Sequence, residues 1–196
     1  MTKADLLSAF LFDKHMRCLY LFFFRLYGWK IKGDVPRDIN KFIIAAAPHS
    51  SNLDFLIGLA VRSILRFKSN FLGKEELFRP PFGWLFRKLG GFPVDRSGRH
   101  GLVEQVVSIC RNNERFVLAI APEGTRKMVT KWKSGFYHIA HAAGIPIVFC
   151  SIDYLDKTVQ FYPPFHPSGD FLKDASNFSL YFKGKHGKNR GVAPVI

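Results

Sequence analysis

The sequence predicts an α/β fold, on two patterns and a size. Short apolar runs bounded by charge, glycine or proline recur at residues 42–47, 116–121 and 146–152, as buried strands do. Between them, residues 53–65, 101–110 and 134–143 carry apolar side chains at helical spacing. The chain has 196 residues, 47% of them hydrophobic, which suits one domain with a sizeable core.

Taken in order, the chain begins with a stretch at residues 6–29 rich in Leu, Phe, Tyr and Trp but interrupted by Asp13, Lys14, His15, Arg17 and Arg25. Its cleanest apolar runs, 6–12 and 18–24, are far shorter than the roughly 20 residues that cross a bilayer. It also lacks the small-residue cleavage site of a signal peptide. Residues 1–30 are read as an amphipathic helical element lying in a membrane interface, with Phe22, Phe23 and Phe24 immersed and Arg17 and Arg25 near headgroups. A buried helix pair packed on the domain is the alternative.

The main domain is assigned to residues 31–182. A short strand at 31–36 leads through a turn into the strand 42–47, which stops at Pro48 and passes through a loop into the helix 53–65. A further strand is expected at 68–73, then two short helical pieces on either side of Pro80 and Pro81. The segment GGFPVDRSG, residues 90–98, is glycine- and proline-rich and reads as a loop from which Arg96 can point at an anion. The strand 116–121 ends in APEGTR, repeating the first junction: apolar strand, proline, then polar residues. The strand 146–152 pairs with one at 158–162, and residues 171–182 form a last helix. Residues 183–196 begin with KGKHGKNR and are read as a basic, solvated tail.

Composition narrows the partners. The net charge of +14 points to an anionic partner: nucleic acid, membrane lipid or a phosphorylated small molecule. With 21 Phe alongside that charge, a membrane lipid surface is favoured and nucleic acid is not, because the aromatics cluster in apolar runs instead of interleaving with Lys and Arg. Cys18, Cys110 and Cys150 are widely spaced in apolar surroundings and read as reduced core thiols. His138 and His141 lack carboxylate or thiol companions, so no metal site is expected. The sequence holds no P-loop, GxSxG elbow or dinucleotide glycine fingerprint, which removes those enzyme classes.

The chemistry concentrates at HSSNLD, residues 49–54. Residues five apart on one continuous helix point about 140° apart, so His49 and Asp54 cannot meet there. With His49 in the loop and Asp54 in the first helical turn, they can. A histidine takes and returns a proton near neutral pH, and a carboxylate on its second nitrogen fixes the tautomer and stabilises the imidazolium. The competing reading makes Ser51 an N-cap and Asp54 its capping acid, with His49 a bystander. At the second junction Gly124 permits close backbone approach, Thr125 offers a hydroxyl and Arg126 suits a phosphate, although taken alone Glu123 and Arg126 more readily read as an ion pair across a turn than as catalytic groups.

Read together, HSSNLD (49–54), GGFPVDR (90–96), PEGTR (122–126) and GIPIVFCSID (144–153) resemble, in order and spacing, the four motif blocks of the glycerophospholipid acyltransferase family, of the 1-acyl-sn-glycerol-3-phosphate type. The resemblance implies a mixed central sheet flanked by helices and a membrane-associated N-terminal element. It also implies transfer of a fatty acyl group from acyl-CoA or acyl carrier protein to a lysophospholipid hydroxyl, giving phosphatidic acid, with no cofactor beyond that co-substrate and at the cytoplasmic face of the membrane. By the same resemblance His49 is the general base and Asp54 its orienting partner, without an acyl-enzyme. Arg96, Glu123, Gly124, Thr125 and Arg126 correspond to the acceptor-binding residues, and Lys74 is a further candidate cation. Pro146 keeps the proline of the fourth block, whereas Phe149 stands where a second proline is expected, a departure bearing on the acyl pocket. Another lysolipid acceptor, such as a lyso-aminoacyl lipid, and a non-catalytic membrane-binding module are the competing functions.

Overall fold

Successive side chains of two central strands point to opposite faces and divide the core into two clusters around a sheet. In the computed structural model, which describes residues 16–94 and 101–189, β2 (Lys41–Ala47) and β6 (Ile147–Asp153) are buried almost throughout. Strands covered on both faces need apolar residues at successive positions, which is why these runs do not alternate with polar ones. Phe42 and Ile44 face one layer, Ile43 and Ala45 the other.

The seven-stranded sheet has the order β1-β7-β6-β2-β5-β3-β4. Its other members are β1 (Lys30–Lys32), β3 (Asn70–Lys74), β4 (Gly91–Val94), β5 (Phe116–Ile120) and β7 (Thr158–Phe165). All neighbours run parallel except β6 and β7. The sheet is therefore mixed, and β4, β3, β5, β2 and β6 all finish at the same edge. Open sheets of this kind bind ligands beyond the carboxyl ends of their strands.

One face is covered by α1 (residues 16–26) and α2 (Leu53–Ile64), with Phe24, Ala60 and Val61 in the core. The other is covered by α4 (Leu102–Arg111), α5 (Gly135–Ala143) and α6 (Phe171–Phe178). The short α3 (Gly83–Lys88) and a 3-10 turn at Glu75–Phe78 join β3 to β4. A second 3-10 turn, Ser179–Phe182, replaces the last third of the helix expected at 171–182.

Three expectations are corrected. Residues 91–94 of the glycine-rich segment are a strand, not a loop. Gly91 is needed there because a Cβ would stand 2.8 Å from Phe78 Cε1 and Phe86 O, and Pro93 is tolerated because β4 is the edge strand. Phe24, expected to be immersed in lipid, packs inward against Trp29 instead. Cys18 is exposed, whereas Cys110 and Cys150 are buried as expected. The tail, although largely exposed over residues 183–189, is tethered to the domain there: Lys185 Nζ lies 3.4 Å from Asp153 Oδ2 and Tyr154 N donates to His186 O at 2.8 Å.

Candidate active site

Three of the parallel strands deliver the site. β2 ends at Ala47, and the chain turns through Pro48 to His49 before α2 starts at Leu53. β5 pairs with β2 in the register Lys41↔Phe116 to Ala45↔Ile120, so its following turn, 121–126, lies beside the His49 loop. β6 pairs with β2 on the other side, ending in Asp153 and leading to Tyr154.

His49 Nδ1 stands 3.1 Å from Asp54 Oδ2. Asp54 is 4% exposed, and the same Oδ2 accepts the backbone N–H of Ser50 at 2.7 Å and of Ser51 at 2.8 Å. Its Oδ1 accepts from the Tyr154 hydroxyl at 2.5 Å. Burial pushes the Asp54 carboxyl up, but the bonds from His49, Tyr154, Ser51 and Ser50 outweigh it and hold the group below its ordinary value. Asp54 is thus a carboxylate at neutral pH. Burial and that adjacent carboxylate push the Tyr154 hydroxyl well above its ordinary value, so it stays a donor.

The N-cap of α2 is Asn52, not Ser51, and it makes no side-chain cap bond. Asp54 instead gathers the Ser50 and Ser51 amides of the turn before the helix, and Ser51 Oγ accepts from Leu53 N at 3.2 Å. The arrangement fixes the imidazole tautomer: a proton on Nδ1 faces the carboxylate, leaving the lone pair on Nε2. His49 retains 30% side-chain exposure, so the ring can be approached from outside. Of the two serine hydroxyls, Ser50 Oγ accepts from Asn189 N at 3.3 Å and Ser51 Oγ from Leu53 N.

Glu123 locks the two junctions together. It is fully buried, and its Oε2 accepts His49 N at 2.8 Å, so it holds the loop from beneath rather than pointing into solvent. Gly124 has φ +67°, a conformation that favours glycine, and a Cβ there would meet Lys133 Cδ at 3.0 Å and Nζ at 3.3 Å. Lys133 therefore lays its cation over the turn, anchored by Lys133 N donating to Pro122 O at 2.9 Å. Thr125 Oγ1 accepts from Lys127 N at 3.2 Å, and the Arg126 side chain is exposed. Lys74 ends β3 at the same sheet edge. Arg96 lies outside the described residues, two positions beyond the end of β4. Pro146 precedes β6 at the opposite edge, where its carbonyl accepts Ile43 N, and Phe149 is enclosed in the aromatic core, stacked on Phe178.

Tyr154, Lys133 and Asn189 escaped the sequence reading. Tyr154 had one available signal, its position just past a buried parallel strand. Among the described residues no group of three or more His, Cys, Asp or Glu could hold a metal ion.

Residues 30–153 match the Acyltransferase family model, more than half of the chain. The chain belongs to the acyltransferase family. A 1-acyl-sn-glycerol-3-phosphate acyltransferase of Escherichia coli (strain K12) is 31% identical over 132 residues, covering 63% of this chain and 52% of that protein. The enzyme of that name from Haemophilus influenzae is 27% identical over 131 residues, covering 63% and 53%. The chain spans about half the length of the curated relatives it matches. In fold, this member of the acyltransferase family is similar to the crystal structure of the 1-acyl-sn-glycerophosphate (LPA) acyltransferase from Thermotoga maritima, with TM-score 0.56 and 21% identity over 87% of this chain and 75% of that one.

Proposed function

We propose that the protein transfers a fatty acyl group from a thioester, acyl-CoA or acyl carrier protein, to the free hydroxyl of 1-acyl-sn-glycerol-3-phosphate, giving phosphatidic acid. The observation that carries this reading is the contact of His49 Nδ1 with the buried carboxylate of Asp54. It makes Nε2 a base aimed away from the carboxylate, and family membership supplies the reaction type.

In the proposed step, Nε2 takes the proton of the acceptor hydroxyl as its oxygen attacks the thioester carbonyl. Asp54 stabilises the imidazolium, and collapse of the tetrahedral intermediate breaks the C–S bond. The imidazolium returns its proton to the departing sulfur. An ester and a free thiol result, with no acyl-enzyme. Support for a phosphate-bearing acceptor comes from Arg126, Lys133 and Lys74 around the same sheet edge, with Arg96 a further candidate.

A membrane surface is the proposed source of the acceptor. No helix among the described residues is long and apolar enough to cross a membrane. Instead Leu19, Phe22, Phe23 and Leu26, at helical spacing on α1, are all exposed. Phe82 and Trp84, at the start of α3, are exposed as well. Such side chains suit insertion into an interface while the excess positive charge meets anionic headgroups.

The test supplies wild-type protein with acyl-CoA or acyl carrier protein and lysolipids with and without a phosphate headgroup, following thiol release and acylated product. Product with lysophosphatidate and little with the uncharged acceptor is expected. Product only with a phosphate-free lysolipid assigns a different acceptor, and thiol release without lipid product contradicts acyl transfer to these lipids.

A further inference from the structure

Beyond the 3-10 turn Ser179–Phe182, the chain returns across the carboxyl edge of the sheet. Asp153, 2% exposed, anchors it: Oδ1 accepts His186 N at 3.3 Å, and Oδ2 lies 3.4 Å from Lys185 Nζ. Three residues on, Asn189 reaches the His49 loop. Its side-chain Nδ2 donates to Ser50 O at 2.9 Å, and its backbone N donates to Ser50 Oγ at 3.3 Å. Ser50 is 3% exposed, and its own N–H donates to Asp54 Oδ2. Every polar group of the residue next to His49 is thereby held, and two of those bonds come from a segment 139 residues away.

We propose that Asn189 is a positioning residue for the reaction, and that residues 183–189 are a strap that holds the peptide following His49 in register with Asp54. This rests on His49 acting as the base proposed above. A buried carbonyl deprived of its donor seeks another partner, and a loop free to shift loses alignment to which rates are steeply sensitive. The strap acts through Ser50 and touches no substrate. Its contribution therefore belongs to kcat and not to the KM of either substrate.

The test compares wild type with Asn189→Ala and with Asn189→Asp, which keeps the shape but removes the side-chain donor. Kinetics are measured with acyl donor and lysophosphatidate, and hydrogen exchange is measured at the Ser50 and Ser51 amides. Expected are a kcat at least about fivefold lower in both variants, the scale of one lost hydrogen bond, with both KM values held and the melting temperature lowered by only about 2–4 °C per kcal/mol lost. Faster exchange at Ser50 and Ser51, with the β2 and β6 amides unchanged, is expected in the same samples. The exchange readout needs no substrate, so it judges the strap even if the acyl-transfer reading fails. Unchanged exchange at Ser50 and Ser51 overturns the strap. Unchanged kcat with an active wild type, or a loss confined to KM, overturns the positioning role.

Discussion

Asp54 receives hydrogen bonds from two backbone amides, a tyrosine and a histidine, and most of the site's order passes through its two oxygens. Its folded-state pKa lies below the ordinary 3.8, so its stabilisation is fully present above that value and is lost as pH falls below it towards the folded pKa. Urea unfolding at a series of pH values should show the wild type losing stability below pH 3.8 more steeply than Asp54→Asn. Tyr154→Phe removes one donor to a charged group, worth about 1.5–3 kcal/mol. Its kcat should fall by roughly tenfold or more with the protein still folded, as checked by kinetics and circular dichroism. The pairing of His49 with Asp54 was legible because the spacing and the loop-to-helix junction are local. Tyr154 lies 100 residues from Asp54 and Asn189 lies 139 from Ser50, and no local pattern marks such contacts.

At the scale of elements, periodicity found the central strands and the helices covering them, because burial on both faces imposes a pattern each segment carries by itself. β4 was misread for the opposite reason. Its glycine and proline look like loop residues, but close packing under Phe78 and an edge position with no ladder partner on one side are tertiary facts. α1 is read by its two faces. Phe24 points into the core and Arg17 Nε donates to Ile64 O at 3.2 Å, while Phe22 and Leu26 face outward. Phe22→Ser with Leu26→Ser should weaken partitioning onto anionic liposomes by at least about tenfold without lowering the melting temperature, since each side chain is worth roughly 1.5–3 kcal/mol of apolar burial. Phe24→Ser should instead destabilise the fold. Equal partitioning of the double variant and the wild type would remove α1 from the membrane contact.

Across the whole molecule, the parallel run β4-β3-β5-β2-β6 gathers side chains from residues 49 to 154 at one edge, and the strap adds residues 183–189. The aromatic core beneath keeps that edge fixed. Phe149→Ala, which empties a fully buried position among Phe136, Phe165 and Phe178, should cost about 3–5 kcal/mol in chemical denaturation. The central claim is that His49 is the base for direct attack of a lipid hydroxyl on a thioester. The most direct measurement is kcat for acyl transfer to lysophosphatidate by His49→Ala, taken beside its melting temperature. A fall of roughly 10²-fold or more with the fold intact is predicted. Transfer at the wild-type rate by a folded His49→Ala protein would contradict the account.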